Sequence, residues 1–151
     1  MFRGANKVTL DAKGRMAMPA RYRDTLVERS EGRLVATVDR ADRCLLIYPL
    51  PDWEEIERKL MRLPTLNPQA RRLQRLMVGH ATDLELDSHG RVLVPPKLRE
   101  YAGLTRQAML IGQGSRFELW DEQHWNERRD AWLQAGEEPG ELPAELGQLS
   151  L

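Results

Sequence analysis

Between residues 6 and 18 apolar and polar positions alternate, the spacing of a strand with one buried face. Residues 6–10 read as a short strand, Ala12-Lys13-Gly14 as a turn in which Gly14 is free to take positive φ, and Met16 to Met18 as the returning strand. Pro19 suits the first turn of a helix, where its missing N–H costs nothing, and that helix is expected to run through Leu26. After Gly32, Leu34 to Val38 and Leu45 to Tyr48 are β-type runs. Asp52 with Glu55 three residues on reads as a capping box opening a helix with Trp53, Ile56, Leu60 and Leu63 on one face, stopped by Pro64. Asn67-Pro68 opens another, with Ala70, Leu73, Leu76 and Met77 on its apolar face and Arg71, Arg72 and Arg75 elsewhere. A last helix, opened by Asp121, stacks Trp125, Trp132 and Leu133. The stretch after Ala135, rich in Gly, Pro and Glu, is expected to be a mobile tail.

The pattern occurs twice. Residues 8–23, VTLDAKGRMAMPARYR, align with residues 84–99, LELDSHGRVLVPPKLR, at an offset of 76. Leu10, Asp11, Gly14, Arg15, Pro19 and Arg23 recur as Leu86, Asp87, Gly90, Arg91, Pro95 and Arg99. Met16 and Met18 become Val92 and Val94, so apolar character is kept at alternate positions. A looser echo at offset 72 sets Leu46-Ile47-Tyr48 on Glu118-Leu119-Trp120 and Trp53 on Trp125. Each half is thus expected to run strand, tight turn, strand, Pro-started helix, two strands, helix, a mixed α+β arrangement.

Composition narrows the class. A chain of 151 residues with a 41% hydrophobic share can bury a core, and 30% charged residues imply a well-solvated surface. No apolar run approaches the ~20 residues of a membrane span, and the N-terminus lacks a secretory block, so a soluble cytoplasmic protein is expected. The single cysteine, Cys44, excludes an intrachain disulfide framework and reads as a buried strand cysteine. The formal net charge is zero, but it is unevenly spread. Residues 1–23 carry six cations (Arg3, Lys7, Lys13, Arg15, Arg21, Arg23) against Asp11 alone, whereas residues 117–151 carry two arginines against nine acids. A basic binding surface offset by an acidic tail fits this asymmetry.

No catalytic constellation emerges. His80, His89 and His124 have no ligand spacing with one another or with Cys44, and no hydrolase, zinc-protease or phosphate-loop motif is present. Asp11 and Asp87 could form an acid–base pair between the halves, but each lies four residues before an arginine across a glycine turn. A local role in shaping the turn and orienting the arginine is simpler. The turns are the more informative feature. D-A-K-G-R presents Lys13 and Arg15, and D-S-H-G-R presents His89 and Arg91. A cationic tip can approach phosphates, and arginine can address a guanine edge with two hydrogen bonds. One such turn would read as a stable hairpin, but two at matched spacing beside a basic excess favour nucleic acid. The basic face of Arg71, Arg72 and Arg75 is an ordinary solvated face, a DNA-backbone contact or a subunit contact. The tryptophans fit core or interface packing better than base stacking.

The opening MFRGANKVTLDAKGRMAMPARYR, the LLIYPLPDWEEIERKL block, RRLQRLMVGHATDLELDSHGRVLVPP and FELWDEQHW together closely resemble the MraZ family over about residues 1–135. The two D-x-x-G-R copies resemble those of the AbrB/SpoVT group. The resemblance implies a small β-barrel of AbrB-like swapped-hairpin type formed by the two internal repeats, with flanking helices. It divides the chain into a first repeat (1–51), a helical insert (52–80), a second repeat (81–124) and a C-terminal helix with acidic tail (125–151). It also implies a sequence-specific transcriptional regulator of the bacterial division and cell-wall gene cluster. Such a regulator binds short direct repeats in double-stranded promoter DNA, is nucleoid-associated and forms a ring-like homo-oligomer, with no catalytic step, cofactor or metal. The DNA face it implies comprises Arg15 and Arg91 with Lys13, Arg3 and Lys7, shaped by Asp11, Gly14, Asp87 and Gly90. His89 stands where Lys13 stands in the first turn, so the second turn is less basic, and Arg23 and Arg99 are left to helix packing or intersubunit contacts. The rival reading is a ring-forming protein–protein scaffold without specific DNA binding.

Overall fold

The repeat in the sequence reappears as a repeated run of elements. A computed structural model describes residues 1–135 and 148–149, and the tail expected after Ala135 otherwise lies outside the described residues. The first half runs β1 (Phe2–Thr9), β2 (Arg15–Ala17), α1 (Ala20–Ser30), β3 (Arg33–Val38), β4 (Leu45–Pro49) and α2 (Leu50–Met61). A connecting helix α3 (Pro68–Leu73) passes into one π-helical turn, Gln74–Val78. The second half runs β5 (Thr82–Glu85), β6 (Arg91–Leu93), α4 (Pro96–Ala102), β7 (Gln107–Gly114), β8 (Arg116–Asp121) and α5 (Glu122–Ala135).

Helix ends follow local chemistry, with two departures from expectation. Asn67 caps α3, its Oδ1 accepting from the N–H groups of Gln69 (2.8 Å) and Ala70 (3.2 Å). Asp121 caps α5 by accepting from the His124 N–H at 3.1 Å. The capping box at Asp52 does not form. Helix α2 starts three residues earlier, with Pro49 as its cap and Pro51 in its first turn, and the Asp52 carboxylate instead accepts from Nε and a terminal nitrogen of Arg29 on α1. Helix α1 continues past Leu26 to Ser30 because no residue there breaks it. It stops where Glu31 turns left-handed and its N–H bonds to the Val27 carbonyl.

The strands form a six-stranded antiparallel sheet, in the order β1-β7-β8-β4-β3-β5, and a separate two-stranded ribbon, β2-β6. The order is a palindrome in repeat mates. Strand β1 pairs with β7 of the other half, and β5 pairs with β3. Each half therefore gives its first strand to its partner half. The returning strand β2 does not zip back along β1: a single Leu10–Met16 bridge joins them, and β2 pairs with β6 instead. The register places a pseudo-twofold axis through Met16 opposite Val92 and Leu46 opposite Glu118, pairs that are 76 and 72 residues apart, the two repeat offsets.

One core lies between the halves. Met16, Met18, Val92 and Val94 from the ribbon region pack with Leu34, Ala36, Val38, Leu45, Ile47, Leu110, Phe117 and Leu119 from the inner face of the sheet. The outer face is covered twice. Trp53 and Leu60 of α2 pack on Val35, Leu46 and Tyr48, and Trp125 of α5 packs on Trp120, Ile111 and Cys44. Coverage on both faces explains why β3 and β4 read as continuous apolar runs rather than alternating ones.

Candidate nucleic-acid interface

Each D-x-x-G-R turn is tied by its own aspartate. Asp11 Oδ1 accepts from the backbone N–H groups of Lys13 and Arg15, both at 2.9 Å, and Oδ2 accepts from Arg15 Nε at 2.7 Å. Backbone bonds from Asp11 N–H to the Arg15 carbonyl and from Gly14 N–H to the Asp11 carbonyl close the loop, with Gly14 at φ +88°. Asp87 repeats the pattern, accepting from His89 N–H at 2.8 Å, Arg91 N–H at 2.9 Å and Arg91 Nε at 3.0 Å. The backbone bond from Arg15, with help from its guanidinium and from Lys13 N–H, holds the Asp11 carboxyl at about 2; Arg91 N–H leads the downward shift at Asp87. Both aspartates are committed to their turns as fixed carboxylates.

The turns are braced across the halves. Met18 N–H bonds to the Gly90 carbonyl and Val94 N–H to the Gly14 carbonyl, each at 2.9 Å. Arg23 donates through Nε to the Met18 carbonyl at 2.6 Å and lies over Gly90, and Arg99 donates to the Val94 carbonyl at 3.0 Å and lies over Gly14. A Cβ on Gly14 would stand 2.5 Å from Arg99 Nε, and one on Gly90 2.6 Å from Arg23 Nε, so each glycine leaves room for the partner half's arginine. Sequence reasoning left Arg23 and Arg99 without this role, although their recurrence within the repeat was the signal for it.

The ribbon orients what the turns hold. Met16 and Val92 face the core, so alternation puts Arg15, Ala17, Arg91 and Leu93 on the opposite face. Arg15 stands opposite Leu93 and Ala17 opposite Arg91, which sets the two arginines diagonally at about 7–8 Å. Each arginine is pinned through Nε, and among the described residues neither offers its terminal nitrogens to another protein group within hydrogen-bond distance. The structure thus gathers Asp11, Lys13, Gly14, Arg15, Asp87, Gly90 and Arg91 on one ribbon and its two turns. Arg3 and Lys7 lie on β1 rather than on the ribbon itself, Lys7 lining a surface cavity of about 620 Å³ with Ala17 of β2. Arg3 is opposite Gln113, and the Lys7 ammonium pairs with Glu122 of α5 at 3.2 Å.

The other candidates resolve individually. Arg71, Arg72 and Arg75 are exposed along α3 and its π turn, and line a surface cavity of about 390 Å³ with Pro68 and Leu76. Trp53 is core, whereas Trp120, Trp125 and Trp132 form a mutually edge-on cluster whose outer member, Trp132, is half-exposed. Cys44 is fully buried, and burial with the neighbouring Glu118 and Asp39 pushes its thiol well up from the ordinary range. The Cys44, Asp39 and Glu118 donor atoms lie within 4.8 Å of one another, but Cys44 Sγ faces Asp39 Oδ2 at 3.6 Å and Glu118 accepts from Trp120 Nε1 at 2.9 Å. Among the described residues no helix is long and apolar enough to cross a membrane.

Comparison with known proteins adds an independent line. The family model described as "MraZ protein, putative antitoxin-like" matches twice, over residues 1–76 and 77–136. A protein of Halorhodospira halophila named Transcriptional regulator MraZ is 59% identical over 152 residues, covering all of both chains. Proteins of the same name from Pseudomonas aeruginosa (59%) and Thioalkalivibrio sulfidiphilus (60%) align over 151 residues, again covering all of both chains. The doubled family match repeats what the interlocked halves display in three dimensions, and the chain belongs to the MraZ family.

Proposed function

We propose that the chain is a transcriptional regulator that binds double-stranded promoter DNA sequence-specifically through the β2–β6 ribbon and its two turns. The observation that supports this most is the pair of carboxylate-pinned arginines on one exposed ribbon face. A two-stranded ribbon fits the major groove, where arginine recognises guanine through O6 and N7. Pinning each guanidinium before DNA arrives lowers the ordering cost on binding. Lys13, and Arg3 and Lys7 along β1, add phosphate contacts. The reciprocal strand exchange and the single core support closure of the two sheets into a small swapped-hairpin barrel.

The target in this reading is the promoter of the division and cell-wall gene cluster, with several subunits of a ring-like homo-oligomer each docking at one short repeat. The half-exposed Trp132 and exposed Leu133 on α5 offer a face for another copy. Linkage of weak contacts raises the effective concentration for each further contact. The protein acts in the cytoplasm at the nucleoid and needs no cofactor. The test is titration of a labelled promoter duplex with wild type and Arg15→Ala. The variant is expected to lose binding with its fold and oligomer intact, while wild-type affinity falls steeply with salt. Unchanged binding by Arg15→Ala would overturn the reading. Absence of salt-dependent binding by the wild type would favour the scaffold instead.

A further inference from the structure

We propose that Leu93 reads DNA sequence by seating the C5-methyl group of a thymine one or two base steps from the position addressed by Arg15. This inference rests on the DNA-binding reading above and extends it to a residue outside the charged set.

The argument starts from the ribbon's exposed face. Its four side chains are Arg15, Ala17, Arg91 and Leu93. Leu93 is 52% exposed although its neighbour Val92 supplies the core contact of the same strand. A lone exposed leucine ordinarily carries no message. The position of this one is what counts: it stands directly opposite Arg15, inside the face that holds both pinned arginines. Among the described residues, Leu93 belongs to none of the hydrophobic core clusters, in which this strand is represented by Val92.

In the major groove, thymine carries the C5-methyl as its apolar landmark, whereas the other base edges present hydrogen-bond donors and acceptors. Cross-strand partners stand about 4.5–5.5 Å apart at Cβ. Successive bases rise about 3.4 Å. Arg15 and Leu93 therefore address neighbouring steps. The pseudo-twofold mate of Leu93 is Ala17, whose single methyl is too short to reach where Leu93 reaches. The two halves of the ribbon thus carry the same arginine but different apolar partners. The structure builds an asymmetric reader from a nearly symmetric scaffold, with the thymine preference confined to the Arg15–Leu93 end.

The experiment uses the full chain. Wild type selects its preferred duplex from a randomised pool at fixed moderate salt. Each thymine of that duplex is then replaced singly by deoxyuridine, which removes only the methyl. Wild type is expected to lose about fourfold in affinity at one thymine, the value of one buried methyl. Leu93→Ala is expected to bind the parent duplex less tightly than wild type and to be indifferent to uracil at that thymine, with an unfolding midpoint showing that it is folded. Tight wild-type binding that no uracil replacement weakens would overturn the inference and leave the DNA-binding reading standing. An equal uracil response in Leu93→Ala would also overturn it, since another group would then read the methyl. Enrichment of no duplex by wild type would remove the DNA-binding reading itself, and the inference with it.

Discussion

Gly14→Ala tests whether the turn of one half is held by the other. At φ +88° any residue with a Cβ is strained, at a cost of about 1–2 kcal/mol. At Gly14 there is a second cost. The new methyl would stand 2.5 Å from Arg99 Nε and 3.0 Å from the Val94 carbonyl oxygen, so the guanidinium must leave the carbonyl it donates to. A hydrogen bond from a charged group contributes about 1.5–3 kcal/mol. Gly103 is the control, because it has positive φ (+64°) and nothing within 4 Å of its added Cβ. The difference between Gly14→Ala and Gly103→Ala therefore carries the Arg99 and Val94 contacts together with the wider φ at Gly14, and an Arg99→Ala background separates out the arginine's share. At about 2–4 °C per kcal/mol for a chain of this size, Gly14→Ala should unfold about 3–12 °C below Gly103→Ala by calorimetry. In an Arg99→Ala background most of that gap should close. Equal midpoints for the two alanine variants, or a gap that survives removal of Arg99, would refute the cross-bracing.

Three further outcomes are expected. Arg91→Ala should weaken promoter binding less than Arg15→Ala, because His89 replaces the lysine of the first turn; equal losses in side-by-side titrations would remove the ranking. Asp11 titrates at about 2 in the folded chain, below its ordinary value of 3.8. Its contribution to stability is therefore fully present above about pH 4 and is lost as pH falls toward 2. Urea midpoints measured across that window should fall more steeply for wild type than for Asp11→Asn, and parallel curves would contradict the turn geometry. Cys44, buried and with its thiol pushed up by burial and neighbouring carboxylates, should resist a thiol reagent in the native chain and react at once in denaturant. Rapid native labelling would show that the outer face under α5 opens.

Much of the candidate site was legible because its bonds are local. Asp11 reaches Lys13 and Arg15 within five residues, and the same span recurs at Asp87, so the motif alone specifies the pinned arginine. The helix starts at Asn67 and Asp121 were legible for the same reason. Asp52 was misread because its partner, Arg29, is 23 residues away on another helix. That Lys7 pairs with Glu122 at 3.2 Å was not legible either, because composition shows charge but not which residue of another element stands beside it. Leu93 was unremarkable in sequence, since the alternation that buries Val92 says nothing of which residue will stand opposite.

By itself, then, the sequence determined a doubled half with its order of elements, the two arginine turns and the apolar rows that must be buried. Pairing was decided only in three dimensions. Period-two alternation in β1 and β2 is satisfied equally by a local hairpin or by exchange with the other half, because both bury the same rows. Exchange prevails in the structure, where Met16 meets Val92, β1 lies on β7, and Arg23 and Arg99 cross over to fill the space above Gly90 and Gly14. Those contacts join residues more than 60 positions apart. They exist only once both halves are folded onto one core, which is why no local pattern could announce them.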